Sequence, residues 1–365
     1  MRITIVAGAR PNFMKIAPII AAITLHKEKG IDLEYRLIHT GQHYNKNLSD
    51  TFFEQLNIPY PHSNLGVKSG TQAEQTAAIM IGFEKELMEN PTNLVLVVGD
   101  VTSTMACAIV AKKLWVKVVH VEAGIRSGDL TMPEEINRMV TDSITDYFFT
   151  TSEYANDNLK KLGVEDARIF FVGNVMIDTL KKNESRFFKP PIWNELALSP
   201  KRYFVMTLHR PSNVDETQQL VSLISQICKL SNGLPIIFPV HPRTQNMLED
   251  LNLSFENLHY TQPLGYLEFN YLVKNAFAVI TDSGGITEET TVMNIPCITL
   301  RNSTERPETC ILGTNLLVGN DPEKIESAFE TLFSGNWKSG ETPPLWDGKS
   351  AERIVKHLLT ILGLS

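Results

Sequence analysis

Nineteen residues, 120–138, read His-Val-Glu-Ala-Gly-Ile-Arg-Ser-Gly-Asp-Leu-Thr-Met-Pro-Glu-Glu-Ile-Asn-Arg and set three basic or imidazole groups among four acids. An apolar run, 116–121, leads into them and reads as a buried parallel strand, and Pro133 is well placed to start a helix. Glu134 and Glu135 then sit where the helix dipole favours negative charge. The dipole accounts for those two carboxylates but not for the mixture in the loop, which suits proton transfer between positioned groups. Asp100, after Gly99, is either a cap for a helix starting near Thr102 or a further member of the acid set. Asp100, Glu122 and Glu134 form one set if their strand ends meet. His209, beside Arg210, is either a hydrogen-bonding residue or another proton carrier.

A different chemistry is suggested by Ser283-Gly284-Gly285, at a strand-to-helix turn where bare backbone N–H groups let an anion approach. Glu289, one helical turn on, is placed to accept hydrogen bonds from a ribose diol. Arg306 brings the mobile positive charge that suits a diphosphate. A glycine turn ahead of an N-capped helix accounts for the same residues. Neither G-x-G-x-x-G nor G-x-x-x-x-G-K-S/T occurs, so nicotinamide and P-loop chemistry are not indicated. His39 and His43 are four apart but flank a glycine outside any helix face, and no cysteine set supports them, so no metal is expected.

These groups need elements to hold them. The first half alternates β-branched runs at 3–7, 33–39, 94–98, 116–121, 147–150 and 168–172 with helical patterns at 12–29, 71–90, 102–114, 134–145 and 152–162. Such βα repetition predicts an α/β fold with a doubly wound parallel sheet. The pattern changes near Gly173. A helix over 174–182 precedes a stretch through Pro190, Pro191 and Pro200, the best linker candidate. Alternation resumes with strands at 203–207, 235–240, 277–281 and 295–300 and helices at 215–230, 242–251 and 285–293. Two domains are expected, 1–173 and 174–349, with a C-terminal helix in 350–365 rejoining the first. The polar clusters follow predicted strands, the end at which open α/β sheets bind ligands, and two such domains imply a cleft.

A chain of 365 residues, 43% hydrophobic and 21% charged, has the bulk of a two-domain globular protein. Its net charge of -7 is spread without a basic block, which argues against nucleic acid as a partner. No apolar run reaches transmembrane length, the N-terminus has no signal-type apolar core, and Cys107, Cys228, Cys297 and Cys310 show no C-x-x-C pairing. A reduced, cytoplasmic protein that does not bind membranes is expected.

Gly-Ala-Arg-Pro at 8–11, His-Thr-Gly-Gln-His at 39–43, Gly-Asp at 99–100, His-Val-Glu-Ala-Gly-Ile-Arg-Ser at 120–127 and Pro-Glu-Glu-Ile-Asn-Arg at 133–138 resemble motifs of the non-hydrolysing UDP-N-acetylglucosamine 2-epimerases. So do Leu-His-Arg at 208–210, Pro-Val-His-Pro at 239–242, Asp-Ser-Gly-Gly-Ile at 282–286 and Glu-Arg-Pro-Glu at 305–308, in the family's order over nearly the whole chain. The resemblance implies a glycosyltransferase-B-like pair of Rossmann-like domains with an inter-domain cleft, usually a homodimer, with UDP-N-acetylglucosamine as ligand and no cofactor. It also implies reversible C2 epimerisation to UDP-N-acetylmannosamine, by elimination of UDP to a 2-acetamidoglucal and re-addition, for cell-surface polysaccharide precursors.

Residue by residue, the resemblance implies Asp100, Glu122, Glu134 and His209 as catalytic groups. It places ribose and phosphate on Ser283, Gly284, Gly285 and Glu289, a further nucleotide contact on Arg306, uracil near Phe269, and the diphosphate within reach of Arg10 and Lys15. Gln42, His43 and Glu135 resemble residues that, in bacterial members, help bind a second, activating UDP-N-acetylglucosamine. One departure stands out: the family often follows His-Arg with Glu-Asn, whereas this chain continues Pro211-Ser212-Asn213. Three rival readings are a hydrolysing 2-epimerase, an acceptor-dependent glycosyltransferase of the same fold, and a silent nucleotide-sugar sensor. The hydrolysing class typically has Arg-Ala-Asp where this chain has Arg10-Pro11-Asn12, and the full acid set argues against a sensor.

Overall fold

Short runs of Val, Ile, Leu and Phe, buried on both faces, build two parallel sheets. Leu94–Val98 is buried at every residue, as a strand covered by helices on both sides must be. The computed structural model describes residues 1–41, 53, 55–240, 248 and 255–364. They fall into two compact units, Met1–Lys182 with Pro344–Ser365, and Asn183–Pro343.

The first unit holds β1 Arg2–Ala7, β2 Glu34–His39, β3 Ser63–Asn64, β4 Leu94–Val98, β5 Lys117–Val121, β6 Tyr147–Thr150 and β7 Ile169–Phe171. Their order is β3-β2-β1-β4-β5-β6-β7, parallel throughout. The second holds β8 Phe204–Thr207, β9 Ile236–Pro239, β10 Leu258–Thr261, β11 Ala278–Thr281, β12 Cys297–Thr299 and β13 Asn315–Leu317. They run β10-β9-β8-β11-β12-β13, again all parallel. Each sheet therefore has the Rossmann order, in which the winding reverses beside the first strand. The reversal lies between β1 and β4 in one unit and between β8 and β11 in the other. In open sheets of this order, ligands bind beyond the carboxyl ends of the strands beside such a reversal.

The structure adds elements that the sequence reading lacks: β3, β10 and β13, and the helices Tyr266–Asn275, Pro307–Ile311 and Pro322–Phe333. The expected helix at 242–251 falls outside the described residues except for Leu248. The proline-bearing stretch is not a loose linker. It contains the helix Pro191–Glu195, whose Ile192 and Trp193 join Leu198, Tyr203, Val205 and Val279 in one core cluster of the second unit.

The helix Val175–Asn183 is instead tied to the first unit, where Thr179 Oγ1 donates to the carbonyl of Met14 at 2.7 Å. Its Asp178 accepts from the backbone of Ser350 at 3.1 Å and Ala351 at 2.7 Å, satisfying open N–H groups of the last helix, Ser350–Ile361. That helix packs on Arg10–Glu28. Just before it, Trp346 is fully buried and donates to the carbonyl of Thr151 at 2.9 Å. Among the described residues no helix is long and apolar enough to cross a membrane.

Candidate active site

At the first reversal, Asn12 locks the turn after β1. Its Oδ1 accepts from Gly8 N at 3.1 Å and Ala9 N at 2.9 Å, while Nδ2 donates to the carbonyl of Val98, the last residue of β4, at 3.1 Å. Arg10 opens the helix Arg10–Glu28, and Lys15, one turn in, reaches Glu122 with Nζ to Oε2 at 2.6 Å. Glu122 follows β5 directly, is buried, and has φ +69°, a conformation that costs a non-glycine residue on the order of 1–3 kcal/mol. Its backbone N–H donates to the carbonyl of Phe149 at 2.9 Å, which holds the carboxylate at the sheet end.

Asp100 does not cap its helix, since Thr102–Lys113 has Val101 at the cap and no side-chain bond there. Its carboxylate instead accepts from Arg138, Nη2 at 2.8 Å and Nε at 3.0 Å, and its carbonyl accepts from Asn137 Nδ2 at 2.9 Å. Arg138 and Asn137 both lie on the helix Pro133–Ile144. Glu134, half-buried in the first turn, precedes Arg138 by four residues and so shares its face. Glu135 is buried and fully engaged. It accepts from Ser127 N at 3.0 Å, Ser127 Oγ at 3.1 Å and Gly128 N at 3.2 Å, and pairs with Arg138. Its local work is to shape the loop. Asp100, Glu122, Lys15 and the start of the Glu134 helix thus gather beyond β4 and β5, whose adjacent ends put Gly99 beside Glu122.

In the second unit, the register pairs Thr207 of β8 with Thr281 of β11, so His209 and Asp282 emerge side by side. Asp282 is fully buried. It takes His209 Nδ1 at 2.7 Å, the backbone N–H of His209 at 3.0 Å and of Arg210 at 2.9 Å, and Asn213 Nδ2 at 3.0 Å. Burial alone would raise this carboxyl, but the His209 ring and the two backbone donors hold it below the ordinary aspartate value. His209 is half-exposed, and with Nδ1 fixed by Asp282 its Nε2 is the position left to exchange a proton.

Ser283 precedes the helix Gly284–Val292 without capping it by its side chain. A Cβ on Gly285 would meet nothing within 4 Å, and its φ is not positive, so neither packing nor backbone conformation requires glycine there. A bare backbone at the start of a helix is a geometry that an anion can approach closely. Glu289 is buried and accepts from Tyr266 Oη at 2.8 Å. Burial, with Glu288 nearby, pushes it up to about 7 against the hydrogen bonds of Tyr266 and Asn270. Arg306 differs from expectation: it is not a mobile cation but is buried, with Nε donating to Glu288. The pairing explains how a guanidinium can be kept in the interior of the second unit. Phe269 lies half-buried on Tyr266–Asn275 against the same core as Tyr271 and Ile286. Gln42 and His43 lie outside the described residues.

With this geometry in place, the sequence matches the UDP-N-acetylglucosamine 2-epimerase family over residues 24–359. The chain belongs to that family. The UDP-N-acetylglucosamine 2-epimerase of Methanocaldococcus jannaschii is 42% identical over 98% of this chain and 99% of its own. A Pseudomonas aeruginosa relative, a UDP-2,3-diacetamido-2,3-dideoxy-D-glucuronate 2-epimerase, is 37% identical over 98% of this chain and 99% of its own. The crystal structure of the M. jannaschii enzyme in complex with UDP-GlcNAc and UDP aligns with a TM-score of 0.87 at 41% identity, covering 99% of this chain and all of that one. The architecture common to these epimerases is the glycosyltransferase-B-like pair of Rossmann-like units seen here.

Beyond the site residues that the sequence reading assigned, Asn12, Asn213, Tyr266, Asp282 and Glu288 shape the two strand-end clusters, and Arg138 of the opening stretch gains a definite partner in Asp100. Asp282 had a usable signal, an acid directly after a strand and before Ser-Gly-Gly. Glu288 had a weaker one, its place in the polar run that follows β11, because a buried acid inside a helix otherwise looks like any surface acid in the sequence.

Proposed function

We propose that this protein interconverts UDP-N-acetylglucosamine and UDP-N-acetylmannosamine by epimerisation at C2 without net hydrolysis. The observation that carries the proposal is the pairing of each strand-end acid with a fixed cation, Asp100 with Arg138 and Glu122 with Lys15. The C2 proton of the hexose is not next to a carbonyl, so direct deprotonation would leave an unstabilised carbanion. Cleavage of C1–O sends its electron pair to UDP and builds oxocarbenium character at C1. The C2 proton then passes to an enzyme base as C1=C2 forms, giving a 2-acetamidoglucal. Re-addition of UDP at C1 with protonation of C2 from the other face inverts C2. Such a reaction needs acid–base groups near both faces of the sugar and cations for the leaving diphosphate.

In this reading Asp100, Glu122, Glu134 and His209 supply the acid–base groups. Arg10 and Lys15 steady the diphosphate, the N–H groups of Ser283, Gly284 and Gly285 hold phosphate, and Glu289 takes the ribose diol. Phe269 lies near the uracil, and Arg306 adds positive charge from its pair with Glu288. The protein acts in the cytoplasm as a homodimer, supplying surface-polysaccharide precursors; sedimentation velocity tests the dimer. Engagement of Glu135 with Ser127, Gly128 and Arg138 disfavours it as a direct contact for an activating nucleotide sugar.

The test is a proton NMR time course with UDP-N-acetylglucosamine in D2O. Growth of UDP-N-acetylmannosamine to a plateau, with deuterium entering C2, is the expected result. Free N-acetylmannosamine with UDP would replace the proposal by hydrolysing epimerisation, and no turnover with binding intact would replace it by transfer or sensing. The Pseudomonas relative makes its diacetamido uronate the second substrate to assay. Asp100→Asn and Glu122→Gln should keep UDP binding and lose turnover.

A further inference from the structure

His120 is fully buried on β5, and both of its ring nitrogens face acceptors. Nδ1 lies 2.7 Å from Asp142 Oδ1 and Nε2 lies 2.8 Å from the carbonyl of Gly99. A carbonyl only accepts, so Nε2 carries a proton. The second oxygen of Asp142 takes Gly124 N–H at 3.1 Å and Arg126 Nη1 at 2.7 Å. Those donors keep negative charge on Asp142, which burial alone would raise but which His120 and Arg126 hold below its ordinary value. The proton between Nδ1 and Oδ1 therefore belongs to the ring.

We propose that His120 is a doubly protonated imidazolium that positions the acid pair Asp100 and Glu122. The role rests on the epimerase reading; the protonation state does not. One N–H grips the carbonyl immediately before Asp100, and the other grips the helix whose Arg138 holds the Asp100 carboxylate. Asp100 is thus fixed through its backbone on one side and its side chain on the other. Gly99, at φ +71°, also donates its N–H to Val121 at 3.0 Å, immediately before Glu122, so the same ring braces the second acid. The charged groups around this corner are Asp142 and Arg138 from the helix, Arg126 from the loop, and the Lys15–Glu122 pair beside Gly99.

Ring nitrogen-15 NMR of the full protein at neutral pH tests the protonation. Both nitrogens of His120 should resonate as protonated; one unprotonated nitrogen overturns the proposal. Two variants test the positioning. His120→Gln can keep a donor toward Gly99, whereas His120→Asn can keep only the contact toward Asp142. His120→Asn should lower kcat about 100-fold with KM little changed, the scale of a small misplacement of reacting groups. His120→Gln should recover at least about tenfold of that loss. Equal losses in the two variants, or a loss confined to KM, overturn the role. Amide exchange at Gly99 reads the same split without turnover: faster in His120→Asn, close to wild type in His120→Gln, with no difference counting against it. A wild type that does not epimerise, yet shows both protons and the exchange split, would sink the epimerase reading alone.

Discussion

Two buried carboxylates, Asp282 and Glu289, sit seven residues apart and are displaced from their ordinary values in opposite directions. Asp282 is held below its ordinary value, so it favours folding above the unfolded aspartate value near 3.9, and that advantage is lost as pH falls through the lower native one. Asp282→Asn should cost about 2–3 kcal/mol at pH 6–7, with the gap closing below about pH 4, as urea unfolding across that range would show. An equal gap at both ends would remove the charge from the explanation. Glu289, pushed up by burial to about 7, behaves in reverse. Between the unfolded glutamate value and about 7 only the folded chain keeps the proton, so stability declines as pH rises through that window. Glu289→Gln should match wild type near pH 5 and exceed its stability at pH 8 by on the order of 3 kcal/mol. If the ionised form accepts the ribose diol, calorimetric UDP affinity of wild type rises across pH 7, and that of Glu289→Gln stays flat.

The clearest test of an element concerns the start of Gly284–Val292. Alanine at Gly285 meets no neighbour and relieves the glycine penalty in a helix, so Gly285→Ala should hold or raise stability, by up to about 1 kcal/mol. It should nevertheless weaken UDP binding by roughly tenfold, an estimate for one methyl group placed where an anion approaches helix N–H groups. A thermal melt and a UDP titration on the same sample decide it; unchanged affinity would move the phosphate elsewhere. This turn was legible in the sequence, as were the longer buried strands, because Gly clusters after β-branched runs report a local geometry. Strand neighbours were not legible. His209 and Asp282 are 73 residues apart and meet because β8 lies beside β11, which no local pattern encodes. His120 and Asp142 meet for a similar reason, through a helix returning over its own strand. The two-residue edge strand Ser63–Asn64 is too short to show alternation. Pro322–Phe333 is different: Ile325, Ala328, Phe329 and Leu332 are spaced for a helix, so its pattern was present to be read.

For the molecule as a whole, the first unit is assembled from two separated pieces of chain. Trp346 and the capped start of Ser350–Ile361 hold the second piece in place. Trp346→Ala should cost about 3–5 kcal/mol in that unit, measured by urea unfolding, with Trp346→Phe retaining most of the packing but losing the hydrogen bond to the Thr151 carbonyl. A loss below about 1 kcal/mol would mean that the returning segment is decoration. The same arrangement bears on synthesis. On the ribosome, residues 1–182 emerge before Asn183–Pro343, yet the segment that completes their core emerges only after it. The second unit, continuous in the chain, can close while its predecessor still lacks the contacts that Trp346 makes with Thr151 and that Ser350 and Ala351 make with Asp178. A stalled or prematurely ended chain would carry a finished second unit and an unfinished first one, a state for chaperones and proteases to recognise.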